Sequence, residues 1–388
     1  MSDKLSVCTN LFFIDIYGRL NLRIHRKKVF KSVFQPTGRL NDCQMQIKVK
    51  TISRLHFGVI DYIESTDSFK GSLGVALEWP NTVLTVNKNS DLLIKNGNRK
   101  KILELVKKFS KRYLIEPNVI LQVEESIPEH SGLGSGTQLA LAISNALAMI
   151  YDIDADVGEL SSIMGRGKRS RLGNTCFETG GFIIDSCPQK LMTDEVGQPQ
   201  STIFRREFPV NWCFVIVIPD TEIGLSGEAE KEAFRRVKAS KKISEEIYRL
   251  IQRKLLPSLR AEDIEGFGSA LTEIDKKTGM YFEKAQGGVY RYKMAPEIIE
   301  CMLQSGAYGS GQSSWGPALY GLVKENEAMT VADHMRRFLA ENEIEGVVFV
   351  SHCNNKGASV KIRDYNLEKG DIDAGEYCFA TRKKLGSK

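Results

Sequence analysis

The sequence predicts an α+β protein built from two domains. Three observations carry that reading. At 388 residues the chain is too long for one average hydrophobic core. A glycine-rich loop, Ile127 to Gln138, runs from a short apolar strand straight into a helix. In the second half, strand-like runs alternate with helical ones, the pattern of a ferredoxin-like α+β sandwich.

Taken in order, the first 44 residues stand apart. They hold eight of the chain's 54 Lys and Arg but three of its 48 Asp and Glu, so the remainder is almost neutral despite a net charge of +6. Residues 1–44 are therefore expected to be a basic extension, with Met45 opening the first strand. Short β-type runs follow at 47–53, 74–77 and 83–86, then a basic amphipathic helix over 99–114. Val119 to Val123 reads as a strand. After the glycine loop, Leu139, Ile143, Ala146, Leu147 and Ile150 share one helical face. A second helix spans about 158–166, and Phe177–Asp185 reads as a glycine-pair turn feeding an apolar strand. Residues 188–201 form a polar loop and hinge, placing the domains at 45–200 and 201–388. Beyond it come the buried-type strand 212–218, helices at 226–255, 261–277 and 296–304, a glycine-rich run from Gly306 to Gly321, a helix at 325–342 and strands at 347–350 and 358–362.

The loop carries the chemistry. Glycines let successive backbone N–H groups converge on one point, and a helix N-terminus adds about half a positive charge. Ser135 with Gln138 three residues later has the form of a capping box. The combination suits phosphate better than a turn whose glycines serve packing alone. It is neither GxxxxGK[ST] nor GxGxxG.

Composition narrows the class. The longest apolar run, Trp212 to Ile218, is far short of a membrane span. No signal peptide is evident, and eight cysteines without a CxxC pair read as reduced cytosolic thiols. Five scattered histidines form no metal-ligand motif. A near-neutral body gives no support to nucleic-acid binding. The reading is a cytoplasmic protein acting on small molecules, with neither nucleic acid nor membrane as partner.

Three blocks in fixed order then carry a resemblance: Ser53–Gly58 (SRLHFG) with Asp61, the loop Pro128–Gln138, and the late glycine run Gly309–Gly316. Together they resemble the GHMP small-molecule kinase superfamily, whose fold pairs an N-terminal domain like domain 2 of ribosomal protein S5 with a ferredoxin-like C-terminal domain. Four phrases resemble one branch of it, β-ribofuranosylaminobenzene 5′-phosphate synthase: Gly132–Ala140 (GLGSGTQLA), Phe177–Asp185 (FETGGFIID), Gly224–Phe234 (GLSGEAEKEAF) and Gly311–Pro317 (GQSSWGP). Two departures stand out. Arg171 occupies a position where the branch leads one to expect glycine, and residues 68–74 lack an expected Asp-Gly-Gly.

The resemblance implies a homodimeric enzyme of methanopterin biosynthesis that joins 5-phosphoribosyl 1-diphosphate to 4-aminobenzoate, releasing diphosphate and CO₂. Such a site needs cations for diphosphate, with Mg²⁺ and no organic cofactor, and a carboxylate beside the electron-poor sugar carbon. Gly132, Leu133, Gly134, Ser135, Gly136 and Thr137 are the candidate phosphate cradle. Arg166, Lys168 and Arg169 are candidate anion ligands, against their reading as a solvated face. Gln312, Ser313 and Ser314 offer further donors, and Trp315 reads as core. Arg54, Asp61, Glu178 and Asp185 are the candidate catalytic residues, with Asp61 also a possible Mg²⁺ ligand. Each has a structural alternative: a strand-end charge for Arg54, a turn for Asp61, a strand cap for Asp185. His56 and His130 read as structural. Two other functions stay open, an ATP-dependent GHMP kinase and a non-catalytic protein that binds a phosphorylated metabolite.

Overall fold

The computed structural model describes residues 45–63, 68–168, 170–187, 202–221, 240–366 and 370–378. Within these spans the side chains of 61–63, 68–70, 186–187, 202–203, 364–366 and 370–378 lie outside the description. The basic extension, the polar loop at 188–201 and the phrase Gly224–Phe234 fall outside the described residues.

Residues 42–380 form one compact unit holding three sheets. The first has the order β14-β13-β1-β4-β6-β5, from β1 (Met45–Lys50), β4 (Val83–Lys88), β5 (Leu93–Lys95), β6 (Val119–Glu125), β13 (Ser359–Asn366) and β14 (Gly370–Cys378). Helices α1 (Arg99–Tyr113) and α2 (Ser135–Ile150) bring Ile102, Val106, Phe109, Leu141, Ile143 and Leu147 onto Ile47, Val86 and Leu121 of its strands. Leu114 ends α1 in the left-handed region at φ 54°, its N–H bonded to the Ser110 carbonyl.

The second sheet, β2-β3-β7-β8, comprises β2 (Ser53–Ile63), β3 (Ser68–Leu77), β7 (Phe182–Cys187) and β8 (Thr202–Arg206). The third, β10-β11-β9-β12, comprises β9 (Trp212–Pro219), β10 (Gly309–Gln312), β11 (Leu319–Lys324) and β12 (Gly346–His352). β8, just past residue 200, pairs with β7, and β13 pairs with β1. Two short helices, α3 (Val157–Ile163) and α4 (Leu172–Thr179), bracket the segment that carries Arg166 and Lys168. Phe177 to Thr179 thus end a helix; only Gly180 and Gly181, at φ 59° and 84°, make the turn.

In the second half, residues 222–239 lie outside the description, and helix α5 (Lys241–Leu250) continues through a π-helical turn, Ile251–Leu255, into α6 (Leu256–Ala261). The helix expected at 261–277 is α7 (Ile264–Gln286), started by an Asp263 cap on the Gly266 N–H and extended nine residues further. It packs almost backbone to backbone on β10: a Cβ at Gly309 would lie 2.3 Å from the Gly268 carbonyl oxygen. Helices α8 (Ala295–Gln304) and α9 (Ala328–Glu341) cover the other face of the third sheet through Ile298, Met302, Val331 and Met335.

The second and third sheets share one core. Phe57 of β2 is 1% exposed and touches Phe182, Phe214 and Tyr320, with ring centroids 5.1–6.5 Å apart. Phe208, Trp212 and Phe267 continue the cluster. Burial of this apolar surface, not a linker, joins the two halves. Phe57→Ala should therefore cost about 3–5 kcal/mol and lower the melting point of both halves in one transition, read by calorimetry. Two separate transitions with only one displaced would show that the halves fold independently.

Candidate functional site

Three segments distant in sequence meet at Gly132. From β2, the Arg54 N–H donates to the Leu133 carbonyl at 3.1 Å, and the Arg54 guanidinium donates to the Gly132 carbonyl. From the late glycine loop, the Ser313 hydroxyl donates to the same Gly132 carbonyl at 2.8 Å. That hydroxyl oxygen also accepts from the His56 N–H at 3.0 Å, and the Ser314 N–H donates to the His56 carbonyl at 3.0 Å. Gly132 has φ 84°, and a Cβ there would lie 2.4 Å from the Ser313 carbonyl oxygen, so no side chain fits.

This junction fixes the start of α2. Gly134 is its cap residue, at φ 89°, with no side-chain cap hydrogen bond. The capping box does not form. Ser135 is already the first helical residue, and the buried Gln138 donates instead to the Gly173 carbonyl at 2.9 Å, tying α2 to α4. The first N–H groups of a helix lack intrahelical acceptors, so those of Ser135 and Gly136 remain available to an anion.

A cavity of about 400 Å³ opens in front of this helix end. Gly134, Thr137, Arg54, Arg166 and Lys168 are among the residues that line it. A Cβ at Gly136 would lie 3.2 Å from the Arg166 guanidinium, so the cation rests directly on the helix start. Gly165 and Gly167, at φ 71° and 78°, shape the turn that brings Arg166 and Lys168 there. Three cations beside a helix N-terminus favour a multiply charged anion. Other lining residues are different in kind, among them Phe282, Trp315, Tyr290, Thr278, Gln312 and the buried Asp275.

The candidates divide accordingly. Gly134, Thr137, Arg54, Arg166, Lys168, Gln312 and Ser314 line the cavity. Leu133 is wholly buried in the core between the sheets, and Ser313 is wholly buried at the junction, where its hydroxyl is already engaged. Neither is a cavity donor, because burial leaves them no path to a ligand. Glu178, near the end of α4, is not among the lining residues. Asp185 stands behind the wall: it accepts from the Ser72 N–H at 2.8 Å, the Ser72 hydroxyl at 2.7 Å and the Arg171 N–H at 2.6 Å. Burial pushes its carboxyl above the usual range, against those hydrogen bonds. It tethers the Ser170–Arg171 turn. Arg171 itself has φ −101°, which any residue adopts, so the glycine expected there is not required by the backbone. Asp61 lies in β2 opposite Lys70, with its side chain outside the described residues, as is Arg169.

His56 lines the cavity with its pKa lowered to about 3 by burial and by Arg54, which keeps the imidazole neutral. Trp315 is 7% exposed and packs on Phe282 with centroids 5.0 Å apart, so it is both core and cavity wall. Asp275 was not singled out by the sequence reading. Its carboxylate accepts from the Gln312 N–H at 2.9 Å and the Tyr290 hydroxyl at 2.8 Å. Burial raises its pKa to about 7. A signal was present: Asp275 shares a helical face with Leu271 and Phe282, above the small residues Thr278 and Gly279. Among the described residues, no cluster of three or more His, Cys, Asp or Glu side chains could hold a metal ion.

With this geometry in view, known proteins supply the kinship. Residues 100–184 match the N-terminal domain of GHMP kinases, and residues 255–341 match their C-terminal domain. The chain has the two-domain fold of the GHMP kinase type. Beta-ribofuranosylphenol 5′-phosphate synthase of Methanothermobacter thermautotrophicus is 29% identical over 335 residues, covering 81% of this chain and 98% of that protein. The Archaeoglobus fulgidus protein of the same name is 28% identical, covering 81% of this chain and all of the relative. Among solved structures, homoserine kinase from Cytophaga hutchinsonii superposes with a TM-score of 0.61 at 16% identity, over 84% of this chain and 100% of its own. Methanococcus jannaschii mevalonate kinase gives 0.59 at 14% identity, over 82% and 100%. These two likenesses concern the fold. No described helix is long and apolar enough to cross a membrane.

Two measurements check the site. Gly134→Val should leave a folded protein with at least tenfold weaker inorganic diphosphate binding by calorimetry, because valine at φ 89° is strained and its Cβ would press on Arg54 at 3.3 Å. Undiminished affinity would remove the loop from the anion site. Asp275 gives a pH test. Its folded pKa lies about three units above the usual carboxylate value, so folding takes up a proton between about pH 4 and 7. Its contribution is full below pH 4 and is lost as pH rises through 7, by up to about 4 kcal/mol. The melting point of Asp275→Asn relative to wild type should therefore climb from pH 5 to pH 8; His56 titrates in both proteins and cancels. A difference independent of pH would place the ionised carboxylate in contact with solvent.

Proposed function

We propose that the chain is a synthase that joins 5-phosphoribosyl 1-diphosphate to a 4-substituted benzoate, forming a carbon–carbon bond at the anomeric carbon with loss of diphosphate and CO₂. The single observation that carries it is the cavity's mixed lining, in which cations and a helix N-terminus stand together with aromatic rings and a buried carboxylate. A polyanion and an apolar ring need those two kinds of lining. The relatives' name specifies a ribofuranosylphenol phosphate, whereas the family that the sequence resembles is named for an aminobenzene product. Both follow from one reaction: a ring carbon para to an electron-donating oxygen or nitrogen attacks the sugar, and loss of the carboxyl group restores aromaticity.

In this scheme Lys168 holds the phosphate groups, while Arg54, Arg166 and the first N–H groups of α2 both hold them and stabilise the departing diphosphate. Phe282 and Trp315, packed on each other, offer the apolar surface against which the ring lies. Neutral His56 contributes no charge and cannot serve as an acid near neutral pH. Mg²⁺, when bound, would help neutralise the diphosphate; among the described residues no cluster of three or more His, Cys, Asp or Glu side chains would hold it, and the Asp61 side chain lies outside them. We place the enzyme in methanopterin-type biosynthesis, in the cytoplasm and as a homodimer, on the resemblance alone.

The test incubates the protein with phosphoribosyl diphosphate, Mg²⁺ and carboxyl-labelled 4-hydroxybenzoate or 4-aminobenzoate. Labelled CO₂ and diphosphate should appear in equal amounts without ATP. ATP consumption with an alcohol acceptor and no CO₂ would establish the kinase instead. Lys168→Gln should raise KM for phosphoribosyl diphosphate about tenfold with kcat little changed, since it removes a charge contact present in ground and transition states alike. An unchanged KM would put Lys168 outside the anion site.

A further inference from the structure

Asp275 lines the cavity together with two polar groups that the fold leaves incomplete. The Thr278 hydroxyl oxygen and the Gln312 side-chain carbonyl oxygen are buried with no hydrogen-bond partner, and both residues line the cavity. Thr278 lies one turn beyond Asp275 on α7 and faces β2 at Gly58, where a Cβ would come within 2.5 Å of its hydroxyl. Gln312 is held in place from two sides: its N–H donates to Asp275, and its side-chain amide donates to the Ser314 carbonyl at 2.9 Å.

The simpler reading makes Asp275 a tether for the Gly309–Gly316 loop. A tether needs one acceptor. A carboxylate has about four lone-pair sites, and here two accept from Gln312 and Tyr290. Each buried polar group left unpaired costs on the order of 1–3 kcal/mol, so leaving Thr278 and Gln312 unpaired in the lining that also holds a carboxylate with spare lone pairs is unfavourable unless a ligand completes them. What completes them is a hydrogen-bond donor, flat enough to lie beside Phe282 and Trp315, whose centroids are 5.0 Å apart.

We infer that Asp275, Thr278, Gln312 and Tyr290 form the pocket for the hydroxyl or amino group of the aromatic acceptor, opposite the ring carbon that forms the new bond. The inference rests on the synthase reading and deepens it. With a hydroxyl acceptor, the O–H proton passes to the Asp275 carboxylate and the oxygen lone pair moves into the ring. The para carbon bonds to the anomeric carbon while the sugar C–O bond breaks, its electron pair leaving with diphosphate. The ring carbon then loses CO₂, whose bonding pair restores aromaticity, and Asp275 returns its proton to the oxygen. With an amino acceptor the nitrogen lone pair serves directly and keeps its protons, with Asp275 accepting one hydrogen bond. Its elevated pKa suits a group that takes and returns a proton near neutrality.

The test titrates wild type, Asp275→Asn and Thr278→Val with 4-hydroxybenzoate, with benzoate and with inorganic diphosphate, following tryptophan fluorescence and heat. Wild type should prefer 4-hydroxybenzoate over benzoate by about tenfold or more, the discrimination of a site built for a donor. Asp275→Asn should bring that ratio close to unity and leave diphosphate affinity unchanged. Thr278→Val should lower the ratio too, and it decides the matter if Asp275→Asn does not fold. In turnover, Asp275→Asn should lose about 10²–10³ in kcat with 4-hydroxybenzoate and far less with 4-aminobenzoate. A ratio unaltered in both variants, or an equal loss of benzoate and diphosphate, overturns the pocket and leaves Asp275 a tether. Wild type that discriminates between the two acids yet releases no CO₂ overturns the synthase reading while upholding the pocket.

Discussion

The site depends on one steric constraint, the absence of a side chain at Gly132. Only there can β2, the first glycine loop and the last one close to hydrogen-bonding distance. The Gly132 carbonyl accepts from both Arg54 and Ser313, and Ser313 accepts in turn from the backbone beside Arg54. The cation, the helix start and the far loop are thereby locked in one frame. The frame sits on the aromatic core around Phe57, three residues beyond Arg54 on the same strand. Packing energy from residues that never meet a ligand thus holds the geometry of those that do.

Much of this was legible in the chain. The loop between β6 and α2 and the glycine run Gly309–Gly316 declare themselves by composition, and the family resemblance ordered them. Arg54 was singled out by the block Ser53–Gly58, and Arg166 and Lys168 by standing beside Gly165 and Gly167; all three line the cavity. Less visible was how each residue is used. Ser313 and Leu133 belong to glycine loops by sequence, yet the fold spends one on a junction and the other on the core. Asp185 looked like a site carboxylate because it follows a glycine pair. Its three hydrogen bonds to Ser72 and Arg171 make it a brace. Such distinctions depend on contacts more than a hundred residues apart, which periodicity does not encode.

Asp275 is the converse case. A single carboxylate on the apolar stripe of a long helix is easily taken for a surface residue misplaced by a fraction of a turn. The backbone contact between Gly268 and Gly309 removes that option, because it seats α7 so closely on β10 that Asp275 must face the Gln312 N–H. Likewise, neutral His56 and half-neutral Asp275 owe their states to burial first. One cavity therefore offers both fixed positive charge and an adjustable proton site.

The junction can be tested through a residue that does not line the cavity. Ser313 is wholly buried, and Ser313→Ala removes its links to Gly132 and His56 without deleting a charge. The decisive measurement is the calorimetric affinity of this variant for inorganic diphosphate, made beside a check that it remains folded. If the junction positions Arg54 and the helix start, affinity falls at least tenfold although no diphosphate contact has been removed. Wild-type affinity in a folded Ser313→Ala protein would contradict the account, leaving the anion site to the local conformation of its own loop.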